Sequence, residues 1–342
     1  MSAPVAPNPL HRPVQAGVLV LVGAGYAHLQ TLTRLAQRPL EGVRVIWVHP
    51  LAQQMHAPML PGFVAGHYAW GDCTIPLEPL ARHANARCLE RQVLALDATQ
   101  RLLTLDDGST LRYDWLSVNT EGVQEREQLE RAVPGARTHG LFVRPLDVFA
   151  KLWPLVVELG SQRALRIAII SAGTVGVELA CAVRSSIPGA AITLLMQPIP
   201  WDEHCPSAVR NRLRIALKKQ GITVLHDAVV SIEATQVHLA SGASLACDVP
   251  LLAMGVQPPA WLVNSGLALD AQGDLLGDLH AVTQGQTPPP NAPAQRRLAL
   301  WFGGSRYSVA SWGTFSTQGF GVWWLKHWLD RSFVAKHTKG RS

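Results

Sequence analysis

The sequence predicts an α/β fold of two doubly wound domains, the second inserted in the first. Three observations predict it. The run VLVLV at 18–22 leads into the glycine turn GAGYAH, a helical stretch over 26–38 and a second apolar run, VRVIWV, at 43–48. The same order of strand, glycine turn, helix and strand returns in RIAIISAGTVGVELACAVRSSIPGAAITLLMQ at 166–197. Further apolar runs, ACDVPLLAMG at 246–255 and RLALWFGG at 297–304, follow the second unit and are expected to return the chain to the first. Continuous apolar runs bounded by turn residues suit parallel strands covered on both faces.

The composition permits this architecture. With 342 residues, 48% of them hydrophobic and 16% charged, the chain has material for two cores and is not a disordered polymer. The formal net charge is +6, with Lys and Arg scattered apart from small clusters at 210–219 and 331–341. That scatter argues against nucleic acid, and the excess suits an anionic ligand or an acidic membrane surface equally. Cys73, Cys88, Cys181, Cys205 and Cys247 are odd in number and form no CxxC pair, so neither a metal knuckle nor a local redox disulfide is expected. A reducing cytoplasm is the simplest setting. Residues 1–16 are proline-rich and are read as a flexible arm. The run at 18–22 is too short to span a bilayer, which leaves peripheral membrane contact open.

Taken in order, 18–48 is a βαβ unit, which makes the first domain Rossmann-like. The proline-rich stretch 50–80 is a connection, and 87–122 holds three or four strands with a hairpin turn at DDGS, 106–109. LFVRPLDVFAKLWPLVVELG reads as a helix with Asp147 near its N-terminus. The unit at 166–197 makes the second domain Rossmann-like too. A basic helix at 206–220 follows, then short strands at 222–225, 228–232 and 236–239. TPPPNAPA, 287–294, is a loop, and a helix runs from about 320 to 337. The boundaries are 1–137 with 246–342 for the first domain and 138–245 for the inserted one.

The first glycine turn carries the chemistry. Gly23 allows the turn, Ala24 follows it, and Gly25 leaves room for a pyrophosphate at the helix N-terminus. His28 stands where a third glycine normally lets helix and strand pack closely, so a purely structural turn remains the alternative reading. The second strand ends at His49 with no Asp or Glu to hold a ribose, leaving that contact to His49 or to backbone.

GAGYAH, MLPGFVAGHY at 59–68, IPLEPLARHANAR at 75–87, YDWLSVNTEG at 113–122, SRYSVASWG at 305–313 and WWLKHWLDRSFVAKH at 323–337 together resemble the FAD-dependent pyridine nucleotide-disulfide oxidoreductase superfamily. Within it the sequence is most similar to the NADH-dehydrogenase-like branch, including flavoprotein modules fused to selenide, water dikinase. A histidine at the position of His28 is an accepted variant there. The resemblance implies an FAD domain from 1–137 and 246–342 around an inserted NAD(P)-type domain. It implies that Gly23, Ala24 and Gly25 approach the FAD pyrophosphate, that Pro61 and Gly62 lie near the flavin, and that Val93 contacts the adenosine end. Asn119 and Thr120 match a motif returning toward the cofactor. Gly304 and Ser305 match a late motif that usually reads Gly-Asp, here without the Asp. The residues alone also allow an ordinary turn at Pro61-Gly62 and a capping role for Asn119.

In the second turn Ser171 replaces the first glycine, while Gly173, Gly176 and Glu178 remain as candidate nicotinamide-nucleotide residues. The following strand ends in Met196-Gln197, so neither an acid for NADH nor an Arg for NADPH is placed. A working nicotinamide site and a retained fold with a repurposed site both stay open. WDEHC, 201–205, lacks zinc spacing, and no metal is expected. Trp324, Leu325 and Trp328 form a helical stripe that suits the core, a membrane interface or a protein partner through 320–342. The function expected is transfer of electrons from NADH or NADPH through FAD to a quinone or other small acceptor, at the inner membrane face if the protein is peripheral. The alternatives are an FAD-binding oxidase or modifying enzyme with a degenerate nicotinamide site, and a non-catalytic interaction protein of the same fold.

Overall fold

The computed structural model describes residues 17–197, 205–265, 267, 298–312 and 315–338. The expected arm at 1–16, the loop at 287–294, most of WDEHC and the last residues of the tail lie outside the described residues. Two parallel sheets organise the chain. The first has the strand order 87–90, 43–49, 17–22, 115–118, and the second 141–142, 249–253, 166–171, 191–196, 223–226. Counted from the strand that leads into its glycine turn, and leaving aside the short edge strand 141–142, each sheet places its third, second, first and fourth strands side by side, as a doubly wound unit does.

The units repeat more than the glycine turn. In the first, the helix Tyr26–Gln37 joins strands one and two, and an antiparallel meander over 93–112 joins strands three and four. In the second, the helix Thr174–Ser186 and a meander over 229–246 do the same. The first strand, Gly17–Val22, is paired parallel on both edges and its last four residues are buried, as its apolar run demands. DDGS makes its hairpin turn, with Gly108 at φ 79° between Leu102–Leu105 and Thr110–Arg112. The expected helix after 140 is Leu146–Gln162, beginning behind a cis Arg144-Pro145 peptide.

Two expectations are corrected. Strand Val249–Ala253 does not return to the first sheet; it is the fourth strand of the second, pairing with Ile167–Ser171. The second unit thus runs past 245, and the chain leaves it where Val256–Gln257 pairs with Val123–Gln124. The reason is topological: the meander ends beside the sheet it left, and VPLLA supplies the apolar run that a central strand needs. Strand Ala299–Gly304 also stays out of the first sheet. It begins a third meander with Tyr307–Trp312 and Phe315–Gly319, and the C-terminal helix Phe320–Thr338 follows directly.

Candidate functional site

The first glycine turn is built around Asn119, the residue after strand Trp115–Val118. Gly23 adopts φ 92°, and a Cβ there would lie 2.5 Å from the Asn119 carbonyl oxygen. The Gly25 N–H donates to that carbonyl at 2.9 Å, and a Cβ at Gly25 would land on the Asn119 side chain. Asn119 Oδ1 accepts from the Ala27 N–H at 3.0 Å and so caps the helix. Both glycines are required by this close approach whether or not a ligand is present. The N–H groups of Ala24 and Tyr26 have no partner among the described residues. They remain the helix-terminal donors for an anion.

His28 fills the place of the third glycine from behind the turn. Its Nδ1 lies 2.7 Å from the Gly23 carbonyl and its Nε2 2.8 Å from Ser117 Oγ. A carbonyl only accepts, so Nδ1 carries the proton and Nε2 accepts from the serine hydroxyl. Trp47 Nε1–H donates to the same carbonyl at 2.8 Å. Helix and sheet are joined here by hydrogen bonds instead of a glycine contact. The ring is 1% exposed, and burial lowers its pKa to about 4, so it is neutral at pH 7.

At the carboxyl ends of the first sheet lies a cavity of about 620 Å³, within the range of cofactor sites. Gly23, Ala24, His49, Val93 and Thr120 line it; Gly25 and Asn119 shape its wall from behind. Its remaining wall includes Gln54, Trp70, Glu121, Arg144, Leu146 and Trp261. His49, in the place of a ribose-binding acid, is buried, which lowers its pKa to about 4, and its Nε2 sits 3.0 Å from Cys88 Sγ. The residues present fit a dinucleotide: the cavity is large enough, it touches Ala24, whose N–H has no partner among the described residues, and the glycine cradle keeps side chains out. A charge-neutral imidazole replaces the usual acid at the sugar end.

The other predicted residues are not brought to this cavity. Pro61 and Gly62 are buried in the short helix Leu60–Val64, and a Cβ at Gly62 would strike the Tyr68 ring. Gly62 lines a separate crevice of about 10 Å³ with Tyr68, Trp323, Lys326 and His327. Gly304 and Ser305 occupy the hairpin between Ala299–Gly304 and Tyr307–Trp312, where Gly304 takes φ 135°. Gly304 and Ser305 thus stand where the first strand of the C-terminal meander turns into its second, away from the residues that line the cavity.

The second turn keeps its shape despite Ser171. The serine is buried, its Oγ lies 3.3 Å from the Gly173 N–H, and Gly176 packs so close that a Cβ would meet Ser171 Cβ. Glu178 faces away from this turn. Its Oε1 accepts from the Phe302 N–H at 2.6 Å, and burial pushes its pKa up to about 7, opposed by Lys326. Glu178 thus ties the second unit to the C-terminal meander.

The C-terminal helix turns Trp324 and Trp328 of the expected stripe outward, away from the core. Its buried positions are Val322, Lys326, Asp330, Val334 and His337. Lys326 Nζ donates to Asp330 Oδ2 and to the Pro58 carbonyl, each at 2.7 Å, and His56 Nε2 lies 3.5 Å from Asp330 Oδ1. Burial works against the Asp330 charge, yet His56 and Lys326 hold its pKa below the usual carboxylate value. Phe320, Trp324 and Trp328 lie four residues apart and are 58%, 56% and 53% exposed. Trp312 and Phe315, which end one strand of the meander and begin the next, are also exposed.

Comparison with known proteins gives a consistent picture. A family model for pyridine nucleotide-disulphide oxidoreductases matches residues 18–286. The demethylphylloquinone reductase NdbB of Synechocystis sp. is 24% identical over 283 residues, 79% of this chain and 69% of the relative. The NADH dehydrogenase-like protein YutJ of Bacillus subtilis is 22% identical over 306 residues, 81% and 78% of the two chains. Among solved structures, the sulfide:quinone oxidoreductase of Aquifex aeolicus superposes with a TM-score of 0.75 at 13% identity, over 94% of this chain and 92% of its own. NDH2 from Plasmodium falciparum in complex with NADH gives 0.70 at 11% identity, over 95% and 98%.

Proposed function

The chain belongs to the pyridine nucleotide-disulphide oxidoreductase family, and from that premise we propose that it carries electrons from NADH or NADPH through FAD to a quinone or similar small acceptor. It is an enzyme, a flavin-linked oxidoreductase of that family. The observation that carries the proposal is the cavity of about 620 Å³ at the carboxyl ends of the first sheet, meeting the glycine turn at Gly23 and at Ala24, whose N–H has no partner among the described residues. Gly23, Ala24 and Thr120 would hold the diphosphate, with His49 and Val93 toward the adenosine. When bound, FAD supplies hydride acceptance and onward electron release. The chain's own contribution is binding and orientation: helix-terminal amides stabilise negative charge, and Met55, Trp70, Leu146 and Trp261 shield the cavity from water.

The finer assignments are part of the same proposal. The second unit is read as inserted in the first, and the chain as a member of the NADH-dehydrogenase-like branch, a reading supported by its similarity to YutJ. A quinone is favoured as acceptor because two of the similar proteins are named for quinone chemistry. The likeness to modules fused to selenide, water dikinase rests on the sequence motifs alone. Exposed Phe320, Trp324 and Trp328 suit a peripheral place on the inner membrane face.

A second reading draws on Ser171, on the absence of an acid after Met196 and on Glu178 turning to Phe302. It makes the protein an FAD-dependent oxidase or modifying enzyme whose second turn is structural. Anaerobic addition of NADH, then NADPH, with absorbance followed near ~450 nm, separates the two. Bleaching by either donor, reversed by a short-chain quinone, supports the reductase. Indifference to both donors favours the second reading.

A further inference from the structure

The cavity wall contains a carboxylate where an anionic ligand is expected. Glu121 follows Thr120, whose Cα would lie 2.8 Å from a Cβ on Gly23, so the acid stands next to the phosphate-facing turn. Arg144, from the segment that opens the second unit, donates from Nη1 to Glu121 Oε2 at 2.6 Å. Gln54 Nε2 donates to Glu121 Oε1, also at 2.6 Å. The arginine is fixed from its backbone as well: its N–H donates to Gln124 Oε1 at 2.6 Å. Gln124 Nε2 in turn donates to the Leu252 and Met254 carbonyls at 2.9 and 2.7 Å.

Among the described ion pairs, this is the one whose two partners both line the cavity. Arg91 pairs outward with Asp107, and Glu127 with Arg137. The Arg144 and Glu121 side chains are 24% and 30% exposed, so their attraction is only partly screened. Nε and Nη2 of Arg144 have no partner among the described residues, and Arg144 lines the cavity, so part of its planar fork is free to donate.

We propose that Arg144 is the anion-accepting residue of the cavity and that it also neutralises Glu121, a carboxylate that opposes the ligand. The pair lets a diphosphate bind beside a carboxylate and makes that binding depend on a residue of the second unit. Glu121 alone would repel the ligand; Arg144 cancels that charge and offers its remaining N–H donors. The inference rests on the reading that this cavity takes a dinucleotide.

The test is calorimetric titration of the full chain, freed of bound nucleotide, with FAD, ADP and adenosine. Arg144→Met is expected to weaken FAD and ADP by roughly 10- to 100-fold and to leave adenosine within about twofold, because only the first two carry the diphosphate. Adding Glu121→Gln to Arg144→Met is expected to restore only part of the ADP affinity, because the repulsion is removed while the guanidinium donors stay lost. ADP binding unchanged by Arg144→Met, or adenosine weakened as much as ADP, overturns the inference while leaving the cavity reading intact. Wild-type protein that binds neither FAD nor ADP overturns both. If circular dichroism shows Arg144→Met to be unfolded, Glu121→Gln alone decides: ADP severalfold tighter supports the proposal, and unchanged ADP overturns it.

Discussion

Replacing His28 by alanine tests how the first glycine turn is held together. Removing the imidazole leaves the buried Ser117 hydroxyl without its acceptor, which costs about 1–2 kcal/mol. The Gly23 carbonyl keeps its bond from Trp47, so its loss is smaller, about 0.5 kcal/mol. The void behind the turn adds about 1–2 kcal/mol. His28→Ala should therefore lose about 3 kcal/mol at pH 7, read by urea unfolding of the tryptophan fluorescence. The loss is also pH-dependent. Burial lowers the pKa of His28 to about 4, against 6.5 in the unfolded chain, so the unfolded state binds more protons between those values. The stability from a neutral His28 is complete above pH 6.5 and is lost as pH falls through 4, by about 3 kcal/mol in all. The difference between wild type and His28→Ala should shrink to about 1 kcal/mol at pH 5. His49 has a similar shift but is common to both proteins, so it cancels. A difference below about 0.5 kcal/mol at pH 7, or one that does not shrink at pH 5, would refute this account of the turn.

Three further outcomes follow from the C-terminal region. Glu178 has its pKa raised to about 7, so its contribution is full below pH 4.5 and is lost as pH rises through 7. Glu178→Gln should match wild type in thermal unfolding at pH 5 and exceed it by a few degrees at pH 8. Lys326→Met leaves Asp330 buried without its strongest partner and should cost about 3–5 kcal/mol, whereas Lys326→Met with Asp330→Leu should cost clearly less. Serine at both Trp324 and Trp328 should abolish co-sedimentation with anionic lipid vesicles while leaving unfolding unchanged, since both side chains are exposed.

Much of the scaffold was legible because it depends on local pattern. VLVLV, VRVIWV and IAII are strands for the reason the sequence suggested, and the glycine turns sit where strand gives way to helix. His28 was legible only as an anomaly; that it bridges Gly23 and Ser117 depends on strand Trp115–Val118 arriving far later in the chain. The destination of strands was least legible. VPLLA and ALWFGG have the same apolar character, yet one completes the second sheet and the other starts a meander, because pairing is set by what each segment meets. The tail left its use open for a related reason: stripe spacing shows which residues share a face, not which way that face turns. Lys326 and Asp330 go inward because they satisfy one another, and the tryptophans are left outside. Glu121 and Arg144 were not legible: one lies in YDWLSVNTEG and the other in LFVRPLDVFAKLWPLVVELG, and only the fold brings the two side chains together.

The central claim is that the cavity beside Gly23 holds FAD, and the most direct measurement is the visible spectrum of freshly purified protein with its flavin content after denaturation. The account predicts a yellow protein with close to one FAD per chain, or one that takes up FAD to that ratio when it is added. A colourless protein that cannot be reconstituted would contradict it.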